Sequence, residues 1–211
     1  MMQLISATPS PYARKVRIAL AEKGLPFELV TEVPWDNATQ TPRYNPLEKL
    51  PILILDDGSS VYESSFILEW LELKHPETPL LPADVEGHLA ARRLEVLCDG
   101  VCDAVVLTFF ERLRASEARS AEWLARQRRK IEGGVREMAR LVGQRQFAVG
   151  DRFSLGDIAV GTALGYLSVR FAEFDWRGLY PDLARYCAGL ESRPSFAGSR
   201  PVPQTITDKV V

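Results

Sequence analysis

The segment Gln3-Leu4-Ile5-Ser6-Ala7 is short, apolar and β-compatible, and it is followed by Val16, Ile18, Ala19 and Leu20 at helical spacing in a stretch that closes at Gly24. Lys49-Leu50-Pro51-Ile52-Leu53-Ile54 places a proline at the start of a leucine and β-branched run, where it gives up no central ladder bond. Asp57-Gly58 then predicts a hairpin turn, Val61-Tyr62 a short strand, and Glu63-Ser64-Ser65 the lip of a helix running through Ile67, Leu68, Trp70 and Leu71. Residues 1–75 therefore read strand, helix, strand, short helix, strand, strand, helix.

The character changes at His75-Pro76-Glu77-Thr78-Pro79-Leu80-Leu81-Pro82, whose three prolines cannot continue a helix. Residues 76–86 are predicted to be a linker between domains. From Glu86 onward the pattern is helical, with Leu94, Leu97, Val101 and Val105 marking one face and Leu124, Ile131, Val135, Met138 and Val142 another. Ile158 through Val169 carries no charged residue, which predicts a buried central helix in a bundle spanning 87–200. Ser154 and Asp157 before it have the spacing of a capping box, a structural role. The tail 201–211, rich in proline and polar residues, is expected to be irregular and mobile.

Composition narrows the possibilities only a little. A chain of 211 residues, 46% hydrophobic, can bury one sizeable core or two small ones. A net charge of −2 offers no field to steer nucleic acid, and Arg126-Gln127-Arg128-Arg129-Lys130 is spread around a helix as a solvated surface. No apolar run approaches the ~18 residues of a membrane span, and the first residues lack the charged and apolar regions of an export signal. A cytoplasmic location is the expectation.

The three cysteines form no paired framework, which fits a reducing compartment. Cys98 and Cys102 share a helix face and read as core residues, with no histidine near enough to complete a metal set. His75 and His88 flank the linker and read as surface residues. No metal is expected.

The chemistry concentrates at Ser10-Pro11-Tyr12-Ala13-Arg14-Lys15-Val16. A hydroxyl directly before a helix-opening proline, just after a strand, meets the unpaired N–H groups and positive dipole end of that helix. An anion such as a thiolate would be stabilised there. The plainer alternative is that Ser10 is only an N-cap. Thr8 is a second hydroxyl on the same loop, and Ser10 is preferred because it directly precedes the proline.

Four pieces in this order resemble the glutathione transferase superfamily: a serine after the first strand, Leu50-Pro51 before the third, Glu63-Ser64 at a helix start, and Ser154-Leu155-Gly156-Asp157 much later. The wording around Ser10 is most similar to the bacterial serine-type cytosolic members. The resemblance covers essentially the whole chain. It implies an α/β plus all-α protein, with a thioredoxin-like, glutathione-binding domain at 1–75 followed by an all-helical domain.

It also implies the residue roles. Ser10 would donate its O–H to the glutathione thiolate, lowering a thiol pKa that starts near about 8.5. Glu63 would take the ammonium of the glutathione head and Ser64 its carboxylate, although Ser64 or Ser65 capping the helix is the simpler reading. Leu50, before a candidate cis Pro51, would pair its backbone with the cysteinyl part, and Lys49 would meet the glycyl carboxylate or remain solvated. The electrophile pocket is expected between the domains, from Pro9 and Tyr12 on one side and Phe109, Phe110, Tyr166 and Trp176 on the other. Arg14 and Arg17 are expected to pair with acidic residues of the second domain, with attraction of an anionic substrate as the alternative for Arg14. Family members are commonly homodimers, and Asp99 or Asp103 would then reach the neighbouring subunit's glutathione.

Three functions remain open on these residues. One is a glutathione transferase proper, acting on a small hydrophobic electrophile in detoxification. Another is a transferase-fold protein-interaction module. The last is a glutathione-dependent reductase or isomerase, which the absence of a cysteine at position 10 and of a Ser-Ser-Cys motif disfavours.

Overall fold

The computed structural model describes residues 1–211, and its contacts divide the chain into two compact units. The first comprises Met1–Leu80 together with Arg193–Val210. Its sheet has the order β2-β1-β3-β4, built from β1 (Met2–Ser6), β2 (Phe27–Thr31), β3 (Ile52–Ile54) and β4 (Ser60–Tyr62). β1 runs parallel to β2 and antiparallel to β3, and β3 and β4 form the hairpin that Asp57-Gly58 announces, with Gly58 at φ 84°. Helices α1 (Pro11–Glu22) and α3 (Ser64–Lys74) pack together, burying Val16, Ala19, Leu20, Ile67 and Leu71 with Leu4, Ile5, Ile52 and Leu53 of the sheet in one core. The short α2 (Thr41–Tyr44) lies between β2 and β3 in sequence. This is a thioredoxin-like arrangement.

Irregular chain from His75 to Asp84 follows α3, and its beginning is pinned from inside the first unit. Lys23, buried at the end of α1, donates to the carbonyls of His75 and Thr78 at 2.9 and 2.8 Å and pairs with Glu72 at 2.7 Å.

The second unit, Leu81–Ser192, is helical. It contains α4 (Val85–Leu113), α5 (Ala121–Val142), α6 (Leu155–Arg170), α7 (Trp176–Leu179) and α8 (Pro181–Glu191). α6 is buried along most of its length, as its uncharged sequence predicts, and packs on α4 and α8. Leu94, Val101 and Val105 of α4 and Ile131, Val135, Met138 and Val142 of α5 are all in the core. The α5 face differs from expectation at its start: Leu124 is only half-buried, and Gln127, which the apolar pattern passes over, is fully buried. Cys98, Cys102 and Cys187 are buried free thiols. No helix is long and apolar enough to cross a membrane.

At the start of α6, Asp157 accepts from the Ser154 N–H (2.8 Å), the Ser154 hydroxyl (3.1 Å), the Ala148 N–H (2.8 Å) and the Tyr186 hydroxyl (2.5 Å). The carboxylate that the capping pattern marks thus gathers a loop and α8 onto the first turn of α6. Burial pushes its pKa above the usual carboxylate range, against the pull of those hydrogen bonds.

The end of the chain departs from the sequence reading. The bundle was expected to run to residue 200, but Arg193–Val210 belongs to the first unit, including the short α9 (Pro194–Ala197). Glu22 on α1 accepts from Arg193 (2.7 and 3.0 Å) and from the Ser195 hydroxyl (2.5 Å). Arg14 and Arg17 serve the same junction. Arg14 lies over the Phe196 ring at 5.3 Å and donates to the Phe196 carbonyl at 3.2 Å, while Arg17 donates to the Gly198 carbonyl at 3.0 Å. Both arginines thus tie α1 to the carbonyls of the C-terminal segment of the same unit. Arg14 is buried there, with 2% of its surface exposed.

Candidate active site

Strand register collects the sequence motifs at one edge of the sheet. Val30, Ile5, Ile52 and Tyr62 form a single row across β2, β1, β3 and β4. Beyond that row lie, side by side, the end of β1 leading to Ser10, the Leu50-Pro51 approach to β3, and the end of β4 leading to Glu63 and Ser64. Strands lie about 4.8 Å apart, so segments far apart in sequence reach one small area.

Ser10 is the N-cap of α1, with Pro11 at the first helical position. Its backbone N–H closes a turn to the Ala7 carbonyl at 3.1 Å, and its Oγ accepts the Ala13 N–H at 3.2 Å. That bond uses a lone pair, not the proton, and the half-buried Ser10 hydroxyl donates to no protein atom. The capping role and a donor role toward a ligand are therefore compatible. Thr8 differs in this respect, because its hydroxyl donates to the Val202 carbonyl at 3.2 Å. Pro9 is buried and Tyr12 half-buried beside them.

The Leu50-Pro51 peptide is cis. β3 pairs only from Ile52 onward, so the Leu50 N–H and C=O lie outside the ladder at the same sheet edge. Lys49 is exposed. A residue that sequence reasoning missed shapes this turn: Asn45, 1% exposed, donates its side-chain amide to the Lys49 carbonyl (2.8 Å) and accepts from the Leu47 N–H (2.9 Å). The Asn45-Pro46 dipeptide was the available signal, since that pair favours turn initiation.

Glu63 has φ 70° and is itself the cap of α3, its carboxylate accepting from the N–H groups of Ser65 (3.1 Å) and Phe66 (3.2 Å). The buried Ser64 hydroxyl donates to the same carboxylate at 3.2 Å. Capping thus falls to Glu63, where Ser64 or Ser65 was the simpler expectation. Two carboxylate oxygens offer about four acceptor sites, so Glu63 keeps capacity for a further donor.

In the helical unit, Phe109 and Phe110 meet edge to face at 5.2 Å, and the Arg170 guanidinium lies 4.1 Å over the Phe109 ring. Two of the expected pocket aromatics, Phe109 and Phe110, thus form one cluster with an arginine that periodicity does not single out. Tyr166 is buried, and burial pushes its phenol far above its usual pKa, with the Arg170 charge pulling the other way. Trp176 does not belong to that cluster as a lining residue: it is 1% exposed, with Arg177 stacked 4.4 Å from its ring. Side-chain size and burial make it core. The structure gathers no group of three or more His, Cys, Asp or Glu side chains that could hold a metal ion.

Against known families, residues 9–74 match the model of the glutathione S-transferase N-terminal domain and residues 121–189 that of the C-terminal domain. The GST-like protein YibF of Escherichia coli is 33% identical over 200 residues, covering 95% of this chain and 98% of its own. The chain therefore belongs to the glutathione S-transferase family. A glutathione S-transferase from Methylobacterium radiotolerans, solved in complex with glutathione sulfonate, is 74% identical and superposes with a TM-score of 0.99, covering 100% of this chain and 99% of that one. The maleylacetoacetate isomerase of Pseudomonas aeruginosa is 27% identical over 215 residues, covering 98% of this chain and 99% of that protein.

Proposed function

We propose that this protein is a glutathione transferase that binds glutathione and holds its thiol as a thiolate for attack on a small hydrophobic electrophile. The observation that carries the reading is the Ser10 hydroxyl, which caps α1 through a lone pair and keeps its proton for a ligand, whereas the Thr8 proton is spent on Val202. Ser10 is a donor to sulfur here and not a nucleophile. A charge-assisted hydrogen bond at a helix N-terminus favours the thiolate, and lowering the thiol pKa by two corresponds to about 2.7 kcal/mol.

The remaining roles follow from chemical type. Leu50 offers an N–H and a C=O outside the ladder for the cysteinyl backbone, beside Pro51, and Lys49 offers a cation for the glycyl carboxylate. Glu63 faces the ammonium and Ser64 the carboxylate of the head group, at the N-terminus of α3. Pro9 and Tyr12, beside Ser10, offer apolar surface for the electrophile. With a haloarene, the thiolate forms the C–S bond and halide leaves; the protein contributes ionisation and positioning. A cytoplasmic homodimer acting in detoxification belongs to the same reading.

A second reading is supported by the isomerase among the relatives: glutathione adds to a conjugated double bond, the adduct rotates, and the thiolate is expelled again. Assaying a haloarene, a cis-dienone and an organic disulfide side by side with glutathione separates these readings. Turnover of the haloarene supports the transferase, turnover of the dienone alone supports the isomerase, and neither with no glutathione binding returns the fold to an interaction module.

A further inference from the structure

The chain beyond Arg200 contains no helix or strand, yet it is fastened along a line across the first unit. The Val202 N–H donates to the Thr8 carbonyl at 3.4 Å, and the Thr8 hydroxyl returns a bond to the Val202 carbonyl at 3.2 Å. Two residues on, Gln204 donates its side-chain amide to the Glu32 carbonyl at 3.1 Å. Further still, the Asp36 carboxylate accepts from the Thr207 N–H (2.9 Å), the Thr207 hydroxyl (2.9 Å) and the Asp208 N–H (3.3 Å), and Asp208 accepts the Asn37 N–H at 2.6 Å. The reciprocity is notable: each aspartate receives a backbone N–H from the other's segment.

These anchors sit where the sheet delivers its functional loops. Thr8 is two residues before Ser10, and Glu32 follows β2, its N–H bonded to the Ser6 carbonyl at the end of β1 at 2.8 Å. Pro9 and Pro11 restrict φ on both sides of Ser10, so the residual freedom of the loop lies in how Thr8 is held. Within the loop itself the backbone bond from Ser10 N–H to Ala7 C=O is a single constraint. The two bonds to Val202 add to that turn and to the α1 cap bonds on Ser10.

We propose that Val202–Asp208 is a positioning strap for the thiol site: by bridging Thr8 to Asp36 and Asn37 it holds the Ser10 hydroxyl on target, with Asp36 as the residue that fastens it. The strap explains why a tail with the composition of a loose end is ordered. It also makes Asp36, Thr207 and Asp208 positioning residues, none of which touches glutathione in the reading given above, on which this inference rests.

The test uses the full chain carrying Asp36→Ala, with Asp36→Asn as the conservative variant and Asp57→Ala, which removes the Ser59 bonds of the β3–β4 turn, as control. Hydrogen exchange of the Thr8, Ser10 and Tyr12 amides is read without ligand, and the glutathione Kd and bound-thiol pKa are read with it, all well below each variant's Tm. In Asp36→Ala the exchange rates are expected to rise about tenfold, the glutathione Kd to rise about fivefold and the thiol pKa to move toward that of free glutathione, as loss of a few charge-assisted hydrogen bonds allows. Asp36→Asn should recover part of each, and Asp57→Ala should change none. Unchanged exchange in Asp36→Ala overturns the strap. So does a lowered Tm with unchanged exchange, Kd and pKa, which is the mark of a merely structural contact. Should the wild type not bind glutathione, the functional reading fails, and the exchange measurement still decides whether the tail holds the Ser10 loop.

Discussion

Tyr186 donates its hydroxyl to Asp157 Oδ1 at 2.5 Å, joining α8 to the first turn of α6. Asp157 is fully buried and serves four donors, so removing it strands more than removing any one of them. Tyr186→Phe should cost about 1.5–3 kcal/mol, the worth of one hydrogen bond to a charged group. Asp157→Ala, leaving several buried donors unpaired, should cost about 3–5 kcal/mol. Urea unfolding of both variants checks this, and equal costs would mean that the carboxylate is not the hub of the junction.

The α4–α5 contact has a different weak point. A Cβ built on Gly134 of α5 would stand 2.2 Å from Val101 Cγ2 of α4, and a β-branched side chain on a helix has little rotamer freedom to give way. Gly134→Ala should therefore destabilise the protein by about 1–3 kcal/mol through overpacking, outweighing the up to about 1 kcal/mol that alanine gains in helix propensity. Val101→Ala in the same chain should return much of that loss. A double-mutant cycle with no coupling would show that the two helices can shift apart at this point.

Acid should act on the Glu22 junction in a definite direction. Burial raises the Glu22 pKa, but hydrogen bonds from Arg193 and Ser195 and the Arg193 charge outweigh it, so the folded value lies below the ordinary 4.5. A depressed folded pKa contributes stability that is present above the unfolded value and lost as pH falls through the folded one. The gap between wild type and Glu22→Gln should thus be about 1 kcal/mol at pH 7, modest because Arg193 is about a third exposed, and should close below pH 4.5. A gap that widens on acidification would contradict the assignment. Asp157 runs the other way: its raised pKa means that its ionisation opposes folding as pH rises from the ordinary 3.8 through the folded value.

Local chemistry was the legible part of this molecule. Ser10-Pro11 reads as a helix start because proline and a hydroxyl satisfy that end by themselves, and Ser154 with Asp157 marks α6 for the same reason. The uncharged run after Ile158 announced burial, and Leu50-Pro51 announced the beginning of β3. What escaped the sequence depends on partners far along the chain. Arg14 and Arg17 find carbonyls about 180 residues away, and the tail that composition marks as loose is held by Thr8, Glu32 and Asp36. Glu63 capping its own helix is local, yet it requires φ 70°, which residue type does not announce for a glutamate. Gln127 is buried because its neighbours along α5 are, a consequence of register that its polarity conceals.

The central claim is that the Ser10 proton, left uncommitted by the Ala13 cap, holds the glutathione thiol as a thiolate. An ultraviolet difference titration of thiolate absorbance against pH, on the glutathione complexes of wild type and Ser10→Ala, tests it most directly. The account predicts a bound-thiol pKa about two below the ordinary value of about 8.5 in the wild type, returning most of the way in Ser10→Ala with glutathione still bound. An unshifted thiol in the wild type, or a shift that survives the loss of the hydroxyl, would contradict it.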